Sequence, residues 1–311
     1  MAGVSPAPAK RRSVRRDSES SQDSTPLQFI PTMQPKLVNN LPSGSGWLHE
    51  IKYDGYRVQI HVDGAKVTTY TRNGHDWTFK FGPIADAAKA IPAQKAIIDG
   101  EVCVQDARGV TDFGTLPAAI KSRPQNLMYF AFDLLHLDGE NLRPAPLEER
   151  RAKLRLLVNQ VPSSRLVLSD EYDGDGKAFF DLVSSHDLEG MVSKRKGSRY
   201  WSGSSEAWYK TKCWTTSTMQ VIGVERDKDG VPYALLANER GYQGAAFVGL
   251  AKGLRSQFWS YVEGKAAAKA PIVGLKRTAT WLQPGMTAKV RYLKGSDKMR
   301  HAVVQGVEIE P

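Results

Sequence analysis

The 311-residue sequence is poor in the features that mark several broad protein classes. It has only two cysteines, Cys103 and Cys213, far apart and outside any CxxC pair. That argues against a disulfide framework or a structural zinc site and suits a reducing compartment. No uninterrupted apolar run approaches the ~18 residues of a membrane-crossing helix, so no membrane partner is expected. The six histidines (His49, His61, His75, His136, His186 and His301) include no pair at zinc-ligand spacing and read as structural or surface residues. A nucleophile-elbow signature for Ser-His-Asp hydrolysis is missing too. No internal repeat is present.

Acidic residues are the scarcer charge, 33 against 43 Lys/Arg, leaving a formal charge of +10. Such an excess favours a polyanionic partner. It is unevenly spread: residues 1–28 and 29–213 each carry +2, whereas residues 214–311 carry +6. A hydrophobic content of 41% is ordinary for a chain that buries a core. The length suits two domains of roughly 150 residues each.

Residues 1–28 hold Lys10, Arg11, Arg12, Arg15 and Arg16, then a Ser/Asp/Glu run, with no apolar periodicity. Such a segment cannot offset its ordering entropy, so a disordered tail is expected. The basic residues are followed by no apolar stretch, which excludes a secretory signal. KRRSVRR is either a nuclear-targeting or nucleic-acid arm or a plain solvated tail.

From Trp47 short strands alternate with helices. Runs rich in β-branched and aromatic residues, at 47–53, 57–62 and 66–71, are separated by Asp54-Gly55 and Asp63-Gly64 turns. Further strands are expected at 96–104 (interrupted by Asp99-Gly100), 127–135, 166–168, 191–195 and 208–212, with helices at 83–91, 147–158 and 177–186. Residues 29–213 therefore read as an α+β domain of largely antiparallel sheets. Residues 214–311 carry five strand-like runs (220–225, 233–239, 245–248, 287–292, 301–307) and one amphipathic helix at 254–265. That count fits a small all-β barrel of the OB type.

The chemistry-bearing segments come in a fixed order. Lys52-Tyr53-Asp54-Gly55-Tyr56-Arg57 is first, and alone would be a hairpin turn with an exposed lysine. Thr71-Arg72-Asn73-Gly74, Asp99-Gly100-Glu101 and Phe132-Asp133-Leu134-Leu135 follow. Glu189-Gly190-Met191-Val192-Ser193-Lys194 and Trp208-Tyr209-Lys210-Thr211-Lys212 close the series. Lys210 and Lys212, at i and i+2 on a strand, share a face and can meet one phosphate.

Taken together the segments resemble motifs I, Ia, III, IIIa, IV and V of ATP-dependent DNA ligases, members of the covalent nucleotidyltransferase superfamily. Residues 31–57, with GWLHEIKYDGYR, and EGMVSKR are especially similar to the ligase module of bacterial ligase D, the enzyme of non-homologous end joining. The resemblance spans about residues 29–306. It implies an adenylation domain followed by an OB-fold domain, and a chain that seals 5′-phosphate/3′-hydroxyl nicks in duplex DNA through a lysyl-AMP.

The resemblance also assigns roles. Lys52 would be the nucleophile, reactive only as the neutral amine, a form that nearby cations and burial favour. Lys210 and Lys212 would hold the α-phosphate, Phe132 would stack on adenine, and Arg57 and Glu101 would meet the ribose. Glu50 shares a face with Lys52, and its backbone would read the adenine edge. Glu189, with Glu101, would bind a divalent metal, Mg2+ or Mn2+, with Lys194 beside Glu189 near the phosphates. Arg72 would engage the nicked strand near its 5′-phosphate. Nicked double-stranded DNA is the implied partner of a monomer, with a Ku-like end-binding protein a further one. The expected setting is the bacterial cytoplasm at the nucleoid, or the nucleus in a eukaryote.

One departure stands out. The family's sixth motif carries an Arg and a Lys near the C-terminus, and here Glu308 stands about where the arginine belongs. Lys294, Lys298 and Arg300 are the substitute cations. Two other readings remain: an RNA ligase or capping-type nucleotidyltransferase, and a catalytically weakened nucleic-acid-binding subunit. No segment resembles ligase D's polymerase or nuclease modules or a helical N-terminal DNA-binding domain, so a stand-alone ligase is expected.

Overall fold

The computed structural model describes residues 26–294 and 299–310; the KRRSVRR tail and Lys298 lie outside the described residues. Three sheets form the body. The first has five strands in the order Met33–Leu37, Gly203–Lys212, Gly190–Arg195, Trp47–Ile51 and Glu171–Tyr172. The second runs Lys66–Thr71, Tyr56–Asp63, Lys95–Cys103, Met128–Leu137 and Glu140–Asn141, with Leu166–Leu168 pairing parallel to Met128–Leu137.

Strand periodicity explains how these sheets pack. In Tyr56–Asp63 the even-numbered Val58, Ile60 and Val62 are buried against helices Gly82–Ala88, Leu116–Ser122 and Leu147–Val158. Those helices contribute Ile84, Ala85, Leu116, Ala119, Leu154 and Leu157 to one apolar core. Alternate residues point the other way, toward the first sheet, because successive side chains on a strand take opposite faces. A smaller cluster there, Met33, Ile97, Leu135, Tyr200 and Trp208, joins the two sheets. Leu27, which the sequence left in the tail, packs on the same cluster.

The third sheet begins at Trp214 and closes on itself. Trp214–Arg226 pairs with both Pro232–Asn238 and Met286–Leu293. Pro232–Asn238 pairs with Gly241–Phe247, which touches Arg300–Ile309, which returns to Met286–Leu293. Five strands thus make a ring, with helix Lys252–Gly264 placing Phe258, Tyr261 and Val262 in its core. All five strand runs expected after Cys213 are present: those at 220–225, 287–292 and 301–307 extend at both ends, 245–248 begins earlier at Gly241, and 233–239 is shifted by one residue.

The strand Lys95–Cys103 runs through Asp99-Gly100 without the expected interruption, and several elements had no clear sequence signal, among them the short strands Glu140–Asn141, Glu171–Tyr172 and Thr280–Leu282. Met33–Leu37 carries Pro35 and no alternation, and it lies at a sheet edge, where proline is tolerated. Leu116–Ser122 is a helix of seven residues, too short for an apolar period to register.

Candidate active site

The pocket lies between the first two sheets, a cavity of about 460 Å³ lined by Glu50, Lys52, Arg57, Arg72, Glu101, Phe132, Lys194 and Lys210 among others. Its volume is in the usual range for small-ligand sites. Strand register builds one wall. Val192 stands opposite both Glu50 and Lys210, Lys194 opposite Trp208, and Gly190 opposite Lys212. The period of two then puts these even-numbered residues on one face, and Lys52 continues it past Ile51.

Lys52 is anchored by its backbone N–H, which donates to the Gly190 carbonyl at 2.9 Å. Its Nζ donates to the Glu189 carboxylate, whose other oxygen lies 3.7 Å from Lys212 Nζ. An anion therefore sits against the amine for which the sequence suggested a surround of cations. Lys210 and Lys212 are both held below the ordinary lysine range, first by burial and then by the neighbouring Lys52 charge, with Glu189 acting in the opposite sense.

Two glycines make this approach feasible. At Gly55 an added Cβ would come within 2.2 Å of the Val102 carbonyl oxygen; at Gly190, within 2.2 Å of that of Thr211. Gly190 also has φ 153°, which disfavours a side chain.

The facing wall comes from the second sheet. Arg57 and Glu101 stand opposite each other on neighbouring strands. The Arg57 guanidinium forks onto Asp99 at 3.1 and 2.7 Å and donates to the Met33 carbonyl at 2.6 Å. Burial would lower its pKa, but Asp99 outweighs that and raises it. Each of its three nitrogens is thus engaged with protein, while the side chain also lines the pocket. Glu101 is pushed up to about 7, chiefly by burial and further by Glu189 and Asp99, against the pull of Lys52 and Arg57.

Phe132 occupies a bulge. Asp99 pairs with Asp133 and Gly100 with Ala131, which leaves Phe132 without a partner in the ladder. Its ring lies 5.2 Å from the Arg57 guanidinium and 4.6 Å from Lys194 Nζ, with Trp208 edge-on at 6.1 Å.

Lys194 departs from expectation. It is buried (2% exposed) and donates to Glu50 at 2.7 Å and to the Phe132 carbonyl at 3.2 Å. Its contacts thus lie at the aromatic end of the pocket, whereas those of Glu189 are Lys52 and Lys212. A lysine two strand positions from Val192 must follow its face, and that face leads away from Glu189. Arg72 lies exposed at the rim on a turn closed by Gly74 N–H to Thr71 O at 2.8 Å. His75 lines the cavity too, although its sequence setting suggested no role.

The residues fit a hard divalent cation. Glu189 and Glu101 offer oxygen donors within electrostatic reach of one another and of Lys52. No group of three or more His/Cys/Asp/Glu ligands exists among the described residues. A site of one or two carboxylates completed by phosphate and water is the pattern Mg2+ takes.

From the barrel, Arg300 reaches the pocket's edge. Its guanidinium forks onto the Asp54 carboxylate, one arm at 3.0 Å, and lies 5.1 Å from the Phe113 ring. Lys294 instead donates to the Ser184 carbonyl at 2.9 Å and pairs with Asp187 at 3.3 Å. Glu308 is exposed on the barrel strand opposite Thr287. Of the substitute cations within the described residues, Arg300 is the one engaged with the KxDG segment.

A fold of two facing sheets plus a barrel, with a lysine and paired cations on a nucleotide-sized pocket, defines a nucleotidyltransferase of the ligase class. The family of the ATP-dependent DNA ligase domain matches residues 32–212, and the chain belongs to that family. The multifunctional non-homologous end joining protein LigD of Pseudomonas aeruginosa (strain PAO1) is 31% identical over 283 residues, covering 91% of this chain and 32% of that protein. The chain therefore spans less than two thirds of that relative's length. The crystal structure of the ligase domain from M. tuberculosis LigD superposes with a TM-score of 0.56 at 26% identity, covering 90% of this chain and 95% of that one. The structure of mycobacterial DNA ligase D complexed with ATP and MES gives a TM-score of 0.53 at 26% identity, covering 89% and 95%.

Proposed function

We propose that this chain seals 5′-phosphate/3′-hydroxyl nicks in duplex DNA, using ATP and a lysyl-AMP intermediate, as part of DNA repair. The observation that carries the proposal is Lys52 on the same strand face as Lys210 and Lys212, with Lys52, Lys210 and Phe132 lining one pocket. Lys52 Nζ, deprotonated, attacks the α-phosphorus; the P–N bond forms as the α–β P–O bond breaks and pyrophosphate leaves. Lys210 and Lys212 stabilise negative charge on the α-phosphate in the transition state. The 5′-phosphate at the nick then takes the AMP, and the 3′-hydroxyl displaces it.

Glu189 and Glu101 would hold the divalent metal, whose charge, when bound, neutralises phosphate oxygens. Glu189 exchanges its contact with Lys52 for that role. The residues around the base point to Phe132 stacking on adenine and Glu50 and Lys194 at its polar edge. Arg72, exposed on the rim, suits a 5′-phosphate contact, and Glu101 suits a ribose hydroxyl. The ring order of the barrel, with its helix between the third and fourth strands, supports an OB-fold unit from residue 214, preceded by the adenylation unit. Its +6 charge suits clamping of DNA. The LigD likeness supports a role in end joining, with a Ku-like protein as recruiting partner.

The test is direct. Incubation with α-labelled ATP and Mg2+ should label the chain, and Lys52→Ala should abolish the label. A 5′-phosphorylated nicked DNA duplex should then be joined. Labelling by GTP in preference to ATP, or joining of a nicked RNA duplex alone, would replace this reading with a capping or RNA-ligase one.

A further inference from the structure

Arg151 lies outside the pocket wall and outside every motif described above. It is 1% exposed on helix Leu147–Val158, and its whole guanidinium is spent on the back of the base subsite. Nε donates to Glu171 at 2.9 Å, Nη2 to the Ser169 carbonyl at 2.5 Å and Nη1 to the Phe132 carbonyl at 3.1 Å. Nη1 also lies 3.6 Å from Glu50. Ser169 completes the circuit, its hydroxyl donating to the other Glu50 oxygen at 3.1 Å.

The Phe132 carbonyl has a particular need. The bulge removes Phe132 from the ladder, and a buried carbonyl without a partner costs free energy comparable to a lost hydrogen bond. Lys194 and Arg151 both satisfy it. Lys194 meets Glu50 as well, so each of these two cations contacts both Glu50 and the Phe132 carbonyl. Glu50, Phe132 and Lys194 line the pocket, and Arg151 stands behind all three.

We propose that Arg151 is a positioning residue for nucleotide recognition: it holds the Phe132 bulge and the Glu50 carboxylate in the arrangement that receives the base. The inference rests on the reading of this cavity as the ATP site. Arg151 touches no residue of the lysine cluster, so its loss should weaken ATP binding and leave the chemical step at Lys52 almost intact. A lysine in its place reaches one or two of these acceptors but cannot span them, since it lacks the planar fork.

The experiment measures lysyl-AMP formation against ATP concentration for the wild-type chain, Arg151→Lys and Lys153→Ala. Lys153 is on the same helix in surface pairs with Glu140 and Glu149 and serves as the control. The expected result for Arg151→Lys is a KM for ATP raised about tenfold, a maximal rate within about threefold of wild type, and weaker preference for ATP over GTP. Lys153→Ala should keep wild-type values. Unchanged KM and unchanged ATP/GTP preference in a folded Arg151→Lys chain would overturn the proposal, as would a loss confined to the maximal rate. Should Arg151→Lys fail to fold, Ser169→Ala, which removes the hydroxyl from Glu50, and Glu171→Gln, on the half-buried side of the guanidinium, carry the same test. Both should raise KM in the same direction, and failure of both to do so overturns the proposal. A wild-type chain that takes no label from ATP instead refutes the reading of the site itself.

Discussion

His61 shows how a residue without a catalytic part still sets solution behaviour. It is buried beside Tyr70, its Nε2 meets Gln59 at 3.2 Å, and its Nδ1 has no partner among the described residues. Burial, aided by the nearby His136, lowers its pKa to about 4. An unfolded histidine titrates near 6.5, so between about 6.5 and 4 the unfolded chain binds the extra proton and stability falls with falling pH. The full loss is on the order of 3 kcal/mol below that window, and none of it is felt above pH 7. Denaturant midpoints measured across pH 4–7 should show this slope, and His61→Gln should flatten it. The same physics appears at the pocket wall in Lys194, whose ammonium is disfavoured by burial and favoured by Glu50. Its bonds to Glu50 and the Phe132 carbonyl hold it at the aromatic end of the pocket.

At the scale of the element, the strand Gly190–Arg195 organises the site. It pairs on both sides, with Trp47–Ile51 and Gly203–Lys212, so its register fixes the lysine row. Ser193, on its opposite face, meets His49 at 2.9 Å, which confirms the alternation. Gly190 is the point where this strand could not carry a side chain. Gly190→Ala should push the Thr211 backbone aside, destabilising the fold by more than about 1 kcal/mol. It should also depress lysyl-AMP formation, because Glu189, Lys52 and Lys212 all converge there. Thermal melting paired with the labelling rate separates the two effects: a stable variant with full activity would contradict this account of the strand. The Phe132 bulge is the matching feature of the second sheet, turning one aromatic side chain into the cavity while Phe130 stacks on Tyr53 at 4.1 Å.

At the scale of the whole molecule, the polar links between the barrel and the two-sheet body among the described residues include Arg300 to Asp54 and Lys294 to Ser184 and Asp187. Arg300→Ala removes the contact at the KxDG segment and leaves Asp54 buried without its cation. Self-adenylylation should slow about tenfold, read as the rate of label uptake, because the barrel loses its contact with the KxDG segment that carries Lys52. Binding of nicked DNA should fall steeply with salt, since the basic barrel displaces counterions from phosphates; a flat salt profile in a filter or gel assay would count against the barrel as a clamp. Much of this organisation was legible in the sequence. The Asp63-Gly64 turn, the β-branched runs and the helix at 147–158 were readable because local pattern decides them, and the ordered motifs supplied the candidate lysines and carboxylates; Asp54-Gly55 instead carries the chain from one sheet to the other. The edge strand Met33–Leu37 and the helix Leu116–Ser122 were not legible, being too short or too irregular for periodicity to act. Which charge meets which was likewise beyond the sequence: Glu189 on Lys52, Lys194 on Glu50, Arg57 on Asp99, Arg300 on Asp54 and Arg151 on Glu171. Those pairs join residues as far as 246 positions apart, and only the folding of two sheets and a barrel onto one another brings such side chains within hydrogen-bond reach.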